Sequence, residues 1–499
     1  MLRTVGRLDI GKLVIALLFV GIFAIAIRPL VDADQWWHLA SGDWMRSAGQ
    51  IAVTDPFSHT VAGRDWIEHG WLPDILASWV FDHLGYAGLG LLLALTVTVS
   101  MALVFRQMEG RIFVRAFVLL LAAVASAIAW TMRPQIFSYL YFAGVLWMLD
   151  RYRQGSRRVL WLLLPLMLLW TNTHGGWINA YLPIACVLIG EALNRIFRPA
   201  DDESSSWRSI WILAGVAAIS LLLVALNPHG VTMLIYPFFT LDMGATATLI
   251  QEWASPDFHQ MQMQPFAWML LLTVASIGIA GKRVDFTHLV TLCGFGYAAL
   301  ISARMIPLFP MATAPILSLY ADAAITRLWD ALASRHPRLA GKESDPAPPR
   351  PIMYAGNWLI LLLVVLTVAL LAFQSWSVEA NETAQAEIYP AGAVAYMATH
   401  ELPGEMFNSY NWGGYLIWKL YPEQGVYIDG RADLYGDAFI EEYLRVAYAQ
   451  SGWEETLAKY SVGHVVVEVQ SALAGVLNLH PAWEEVYRDE MAVVFVGYP

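Results

Sequence analysis

The chain has 499 residues, of which 58% are hydrophobic and only 14% are charged. Soluble globular chains carry about 25% charged residues and about 45–50% apolar ones, so the composition excludes an ordinary soluble protein and points to lipid as the solvent. The net charge of −11 argues against a basic nucleic-acid-binding surface, and Cys186 and Cys293 are too few for a disulfide framework or a cysteine-based metal site.

Apolar runs along the chain predict a mostly α-helical, polytopic membrane bundle of about eleven spans. A spanning helix needs about 20 mostly apolar residues to cross about 30 Å of hydrocarbon. The candidate runs lie near 13–30, 85–105, 112–132, 136–149, 158–172, 177–194, 209–226, 265–281, 286–303, 305–325 and 355–374. The first run follows Arg3, Arg7 and Lys12 and has no small-residue cleavage site after it, which favours a retained anchor over a signal peptide.

The first outer loop, residues 31–84, is the most polar stretch of the predicted bundle 1–325. Loops of this length are often functional. Asp32 and Asp34 follow the first span directly, and in an extended segment residues i and i+2 point the same way. Both carboxylates are therefore expected to face one cation or one acceptor hydroxyl. The loop is expected to end in an amphipathic helix, 71–84, that lies in the membrane interface.

Further ionisable residues fall on the same side of the predicted bundle. Six of the twelve histidines lie in these outer loops, and Arg133, His174 and Arg304 follow three different spans. Ionisable groups beside hydrocarbon are expensive to desolvate, so a one-sided cluster of them indicates a site.

The C-terminal part of the chain changes character. Residues 326–354, which include the charged and proline-rich ESDPAPPRP, are expected to form a cytoplasmic linker before the last span at 355–374. Residues 375–499 alternate predicted helices with predicted strands at GVYIDGR, HVVVEVQ and MAVVFVGY, which is typical of a small α/β domain. The segment IDGRADLY contains Asp429, Arg431 and Asp433, and we expect an internal Arg–Asp pair there that fixes the loop. The alternative for this motif is recognition of the acceptor or closure over the membrane site.

The basic residues predict the orientation. With eleven alternating spans, one set of loops holds 20 Lys and Arg residues and the opposite set holds five. Basic residues concentrate in cytoplasmic loops, so the N-terminus is expected in the cytoplasm. The polar loops and the domain 375–499 are then extracytoplasmic.

Several motifs together resemble a known family. The bundle contains DADQWWHLASG, DPFSHT, DWIEHGWL, RPQIFSYL, TNTHGGW, LNPHG and QEWASPDF. The tail, which is the domain of residues 375–499, contains NWGGYLIWKLYPEQGVYIDGRADLY. With the many spans, the long acidic first outer loop and the extracytoplasmic tail, they resemble a narrow family of bacterial polytopic proteins related to the GT-C glycosyltransferases. That superfamily includes dolichyl-phosphate-mannose protein mannosyltransferases and oligosaccharyltransferase catalytic subunits.

The resemblance implies a bacterial plasma-membrane enzyme that transfers a sugar, with inversion, from a polyprenyl-phosphate-linked donor in the outer leaflet to an extracytoplasmic acceptor. An acceptor hydroxyl needs a carboxylate base within about 2.6–3.2 Å. Asp34 or Asp32 is expected to be that base, with Asp34 preferred because it aligns better with the first-loop acid of the superfamily. The Asp-Glu pair of several mannosyltransferases is absent, because Gln35 follows Asp34. The cofactor therefore stays open, with a divalent cation allowed.

The other predicted contacts follow from the same reaction. The departing phosphate needs stabilisation by cations, for which Arg133, His174 and Arg304 are the candidates. Residues expected to contact the substrate or a metal are Trp36, Trp37, His38, Glu68 and His69.

Structural alternatives stand beside these roles. Asp32 and Asp34 can cap a helix start, and Trp36 and Trp37 can anchor the chain at the membrane interface. Arg133 can snorkel at a helix end. A turn in which backbone groups satisfy the ring is the corresponding alternative for the histidine of TNTHGGW.

Two other functions compete with the enzyme. A flippase for lipid-linked sugars and a non-catalytic assembly subunit both accommodate many spans and an outer domain. A flippase would however predict charges at mid-bilayer and inverted repeats. The sequence shows no such repeat, and its predicted spans are mostly free of mid-helix charge.

Overall fold

The computed structural model describes residues 7–198, 206–242, 251–336 and 351–498. Long apolar helices make up its N-terminal part. They are α1 (Ile10–Ile25), α2 (Ala33–Ala48), α3 (Trp71–Phe105), α4 (Ile112–Ser126), α5 (Gln135–Arg153), α6 (Leu163–Thr171), α7 (Tyr181–Phe197), α8 (Trp207–Leu222), α9 (Thr232–Asp242), α10 (Gln264–Ala280), α11 (Phe286–Ile301), α12 (Leu308–Arg335) and α13 (Pro351–Ser375).

The predicted helical membrane bundle is confirmed. Within the described ranges, seven helical stretches are long and apolar enough to cross a membrane, and α1 and α11 are shorter apolar helices. The other two predicted runs correspond to α5 and to the 3₁₀ turn Arg157–Leu162 followed by α6. The protein is therefore a multi-pass membrane protein.

Helix α2 replaces the extended segment expected at the start of the first outer loop. Asp32 is its N-cap residue, and the carboxylate accepts a hydrogen bond from the backbone N–H of Asp34 at 3.0 Å. Gly49 ends the helix in the left-handed conformation, with φ of 66°. The helix forms here instead of an extended segment because the Asp32 cap satisfies a helix N–H group that would otherwise lack a partner.

The region 71–84 is helical as expected, but it continues into the next span. The helical backbone conformation is interrupted at Gly85, where φ is 58° and ψ is −151°. The predicted interfacial helix and the predicted span 85–105 are thus two arms of α3 on either side of a break.

The expected linker 326–354 begins later than its composition suggests. Helix α12 extends to Arg335, and α13 already begins at Pro351. The segment ITRLWDALASR consists largely of good helix formers, which continue the preceding span without a break. Residues 337–350 lie outside the described residues.

The tail forms the expected α/β domain. Its elements are α14 (Val378–Ala386), α15 (Ala391–Met397), β1 (Glu405–Asn408), α16 (Gly413–Leu420), α17 (Ala432–Tyr435), α18 (Asp437–Ala447), α19 (Trp453–Lys459), β2 (Val462–Glu468), α20 (Ala472–Leu477), β3 (Trp483–Arg488) and β4 (Ala492–Gly497). The sheet order is β1-β2-β4-β3, with β1 and β2 parallel and the other neighbours antiparallel.

Two of the three predicted strands are confirmed as β2 and β4, and the third is wrong. GVYIDGR is irregular apart from one bridge, in which Val426 pairs with Ser58 of the first outer loop. Val426 donates its N–H to the carbonyl of Phe57 and accepts from the N–H of His59, both at 3.1 Å. Its apolar residues are buried against this loop rather than within the sheet. The segment therefore has the composition of a strand although it does not form one.

The predicted Arg–Asp pair of the tail is confirmed and fastens the tail to the bundle. Arg431 makes a two-pronged contact with Asp429, at 2.8 and 2.7 Å, and a third contact with Asp55 of the first outer loop at 2.7 Å. The Arg431 side chain is 1% exposed and lies over the ring of Trp66. Tyr435 donates to Asp429 at 2.7 Å. The tail segment around Arg431 is thereby held against the membrane bundle.

Candidate active site

Arg133 lies at the centre of a cluster of carboxylates at one end of the bundle. It follows α4 and precedes α5, and its Nη1 lies 2.6 Å from Asp34 Oδ2. Its Nη2 lies 3.0 Å from Oε1 of Glu252, and its Nε lies 3.4 Å from Oδ2 of Asp32. Three sequence-distant segments therefore meet here, and three carboxylates surround one guanidinium.

The two aspartates have different roles in this geometry. Asp32 caps α2 and so has a structural task, which is the alternative that the sequence left open for it. Asp34 sits in the first turn, and its Oδ1 accepts from Nε1 of Trp37 at 3.2 Å. Its side chain keeps 26% of its surface exposed, against 15% for Asp32. Asp34 is thus the more accessible acid.

The tail lies directly on Asp34. A Cβ atom on Gly430 would stand 1.9 Å from Asp34 Oδ1, so only glycine permits this approach. The carbonyl of Gly430 accepts from the Tyr410 hydroxyl at 3.4 Å. The domain 375–498 therefore forms one wall of the site.

The pKa values of Asp34 and Glu252 are shifted in opposite directions. Loss of surrounding water raises the pKa of Asp34 to about 6, although the positive charge of Arg133 opposes the shift. Burial also acts to raise the pKa of Glu252, but Arg133 and Arg304 outweigh it and the pKa is lowered. Of Asp34 and Glu252, Asp34 is therefore the one that can exchange a proton near neutral pH.

Two histidines and a tyrosine line a second part of the site. The rings of His69 and His174 are 5.4 Å apart, and those of His69 and Tyr236 are 5.1 Å apart. The Tyr236 hydroxyl donates to Oδ2 of Asp433, in the tail, at 3.0 Å. The tail thus reaches this part of the site as well.

The histidines are uncharged near neutral pH. Burial lowers the pKa of His69 to about 3 and that of His174 well below its usual value, and nearby positive groups add to both shifts. The Nδ1 of His174 accepts from the N–H of Gly176 at 3.0 Å, so the neutral ring carries its proton on Nε2. A backbone N–H thus contacts the His174 ring, as the structural alternative for this residue expected. His174 can still contact a phosphate, but only through the N–H of its uncharged ring.

Arg304 is an exposed cation at this end of the bundle. It lies in the 3₁₀ turn Ala303–Met305, and its Cζ is 4.9 Å from the ring centroid of Trp253. In the described part of the chain, no carboxylate lies within salt-bridge distance of Arg304, whereas Arg133 contacts three. The hydroxyl of Ser302 donates to the Glu252 carbonyl at 3.1 Å, which joins the two segments.

Trp36 and Trp37 do not offer the open sugar platforms that the sequence suggested. Trp36 is fully buried, stacks on Trp418 at 4.5 Å and meets Tyr389 edge-on at 6.1 Å. Trp37 is 5% exposed and supports Asp34. Packing of the tail against α2 covers both rings, which also excludes the membrane-interface alternative.

His38 and Glu68 are also buried rather than facing a substrate. Nδ1 of His38 lies 3.0 Å from Oδ2 of Asp74, and the Ser41 hydroxyl donates to Oε2 of Glu68 at 2.9 Å. The N–H of Gly70 donates to the other Glu68 oxygen at 3.0 Å. Burial raises the pKa of Glu68 to about 7. These side chains form an internal cluster behind Asp34.

Sequence reasoning missed several residues of the site. Glu252 lies in the motif QEWASPDF and Gly430 in IDGRADLY, but neither motif by itself indicates their contacts. Asp74 lies within the stretch predicted as an interfacial helix, although an acid inside WLPDILASWV is itself a signal of a buried polar contact. Tyr236 carried no signal, and Asp433 was noted only as part of IDGRADLY, because the contact between the two residues depends on how the tail packs.

Comparison with known proteins identifies the fold. No protein-family model matches the chain, and no curated protein matches it in sequence. Among solved structures, the oligosaccharyltransferase of Archaeoglobus fulgidus, tethered with an acceptor peptide containing the NVT sequon, matches with a TM-score of 0.52 and 13% identity over 93% of this chain and 70% of that one. Apo ArnT from Cupriavidus metallidurans matches with a TM-score of 0.50 and 17% identity over 96% of this chain and 97% of that one.

A third match is the archaeal oligosaccharyltransferase AglB from Archaeoglobus fulgidus in complex with an inhibitory peptide and a dolichol-phosphate. Its TM-score is 0.51 and its identity 12%, over 91% of this chain and 69% of that one. At these identities the likeness is one of fold. The chain therefore has the fold of the GT-C glycosyltransferases, as the motifs suggested.

Proposed function

We propose that this protein is an integral-membrane glycosyltransferase that moves a sugar from a polyprenyl-phosphate donor to an extracytoplasmic acceptor hydroxyl, with inversion at the anomeric carbon. The observation that carries the proposal is the Asp34–Arg133 pair at 2.6 Å, at the junction of the bundle and the tail. The GT-C fold supports a transferase, and AglB, a neighbour in fold, binds a dolichol-phosphate.

Asp34 is the proposed base. It is more exposed than Asp32, which is occupied in capping α2. In the transfer step, the acceptor hydroxyl gives its proton to the Asp34 carboxylate while its oxygen attacks the anomeric carbon. The bond from that carbon to the phosphate oxygen breaks, and polyprenyl phosphate leaves with the electron pair. Arg133 then acts as a positioning residue, because three carboxylates already engage its guanidinium.

Arg304 is the proposed principal contact of the leaving phosphate. It is exposed, and an arginine fork matches phosphate oxygens better than a lysine does. His69 and His174 lie in the neighbouring part of the site and can add neutral N–H donors. These contacts would stabilise the charge that develops on the departing oxygen.

The proposed location is a bacterial plasma membrane with the site on its outer face. The excess of Lys and Arg in the opposite loops, 20 against five, supports this orientation. A donor in the outer leaflet would then reach the site between the bundle and the domain 375–498.

The test is a transfer assay on the full chain in lipid nanodiscs, with a panel of polyprenyl-phosphate sugars. Release of polyprenyl phosphate and the anomeric configuration of the product are measured. We expect Asp34→Asn to lower turnover by about 10²-fold or more, and Asp65→Asn, an exposed acid of the same loop, to leave it unchanged. Movement of the intact donor across vesicles without any sugar transfer would contradict the proposal and favour a flippase.

A further inference from the structure

A cluster of three ionisable side chains lies behind Asp34 and is not used by the proposed reaction. His38 lies one turn after Asp34 on α2, Glu68 lies in the first outer loop, and Asp74 lies in the first turn of α3. One nitrogen or oxygen atom from each lies within 4.8 Å of the other two. All three are almost completely buried, at 6%, 0% and 1% exposure.

Within the part of the chain that the structure describes, the two acids of the cluster have no paired arginine or lysine. The guanidinium of Arg431 is not available to these acids, because Asp429 and Asp55 already engage it. Nδ1 of His38 lies 2.9 Å from Oδ1 and 3.0 Å from Oδ2 of Asp74. Its one N–H serves Oδ2, so among the described residues the buried Oδ1 has no hydrogen bond of its own. A buried carboxylate oxygen without a hydrogen-bond donor is energetically costly. A cation in the cluster would remove that cost.

We propose that His38, Glu68 and Asp74 bind a divalent transition-metal ion of the Zn²⁺ class. One imidazole and two carboxylates are ligand types that Zn²⁺ uses, with metal–ligand distances of about 2.0–2.2 Å. Ligation through Nδ1 of His38 would place the single ring proton on Nε2, because histidine ligates as a neutral imidazole through its deprotonated nitrogen.

The surroundings of the cluster support a built site rather than a chance gathering of acids. Ser41 and the N–H of Gly70 hold the two oxygens of Glu68 in place, as supporting hydrogen bonds orient ligands in metal sites. The ring of Trp37 lies 3.5 Å from that of His38 and limits its movement. An ion here would tie α2 to α3 and so fix the helix turn that carries Asp34.

The first experiment measures bound metal. The full chain is purified in detergent without chelator, dialysed against excess Zn²⁺ and then against metal-free buffer, and its metal content is determined by mass spectrometry. We expect about one ion per chain in the wild type, and a rise in Kd of at least about tenfold in Asp74→Asn and in His38→Gln. Asp65→Asn, in the same loop, should retain the ion.

A second measurement needs no variant and covers the case in which a substitution prevents folding. Co²⁺ is added to the chelator-treated wild type, and its visible absorption and the unfolding temperature are recorded. A ligand-field band that Zn²⁺ displaces, together with a higher unfolding temperature, supports the site.

Absence of bound Zn²⁺ and of any Co²⁺ band would overturn the proposal and identify the cluster as a protonated hydrogen-bond network. Retention of the ion with unchanged affinity in both folded variants would overturn it too. Both readouts are independent of sugar transfer. A failure of the metal proposal can therefore be distinguished from a failure of the proposed function.

Discussion

Gly430 of the tail lies against the carboxylate of Asp34, so close that a methyl group at its Cα would stand 1.9 Å from Oδ1. The two residues lie at opposite ends of the chain, one after the first span and the other in the domain that follows the last span. Their contact means that this domain is part of the site and helps to set the position of the proposed base.

The first prediction concerns this contact. Gly430→Ala should displace Asp34 and lower transfer by about 10²-fold, because a misplacement of about 1 Å at a reacting group costs that much. The measurement is turnover in nanodiscs, with size-exclusion profiles to confirm folding. Gly475→Ala, in α20 with open space around its Cα, is the matched control and should keep full turnover. Wild-type turnover in Gly430→Ala would show that the tail does not constrain the base.

The second prediction separates capping from catalysis at Asp32. Asp32→Ala removes the N-cap of α2 and should lower the free energy of unfolding by about 1 kcal/mol. Asp32→Asn keeps a capping side chain and should lose much less. Thermal unfolding of the two variants in the same detergent checks the difference. Equal stability of Asp32→Ala and wild type would remove the structural role assigned to this residue.

The third prediction is a pH dependence. The pKa of Asp34 is raised to about 6, so its carboxylate is ionised above that pH and protonated below it. Transfer that uses Asp34 as base should therefore rise as pH increases through about 6 and fall on acidification, as seen in kcat/KM. Arg133→Gln removes the nearest positive charge, which favours the ionised form, and should move the midpoint to higher pH. A flat profile across the range from about one pH unit below this midpoint to one unit above it would contradict the assignment.

The fourth prediction concerns the attachment of the tail. Arg431→Met leaves Asp429 and Asp55 buried without their cation and should lower the free energy of unfolding by about 3–5 kcal/mol. Arg488→Met, which breaks a surface pair with Glu485, is the control and should change stability little. The readout is unfolding in detergent together with protease resistance of the tail. Similar losses in both variants would argue against a special role of the buried pair.

The segments of the site were more predictable from the sequence than their contacts. Apolar runs located the helices, because spanning a membrane requires long apolar stretches, and one-sided polar residues located Asp34, Arg133 and Arg304 at one end. The pairing of Arg133 with Glu252 depends on bundle packing across a separation of 119 residues and leaves no local pattern.

Two errors of sequence reasoning share one physical origin, which is that the tail packs onto the first outer loop. Trp36 and Trp37 look like exposed rings after a span, but α16 covers α2 so closely that a Cβ on Gly414 would lie 2.5 Å from the Ala33 carbonyl. The same packing buries the segment around Val426 and gives it the composition of a strand. By contrast, the pairing of arginine and aspartate within IDGRADLY was predictable, because both partners lie within one short motif.

The role of Asp34 as the base is tested most directly by single-turnover release of polyprenyl phosphate. Release by Asp34→Asn and by Asp32→Asn is compared with that of the wild type, in nanodiscs and with one donor. We expect a loss of about 10²-fold or more for Asp34→Asn and a much smaller effect for Asp32→Asn. Release by Asp34→Asn at the wild-type rate would contradict the central claim that Asp34 is the base of a glycosyl transfer.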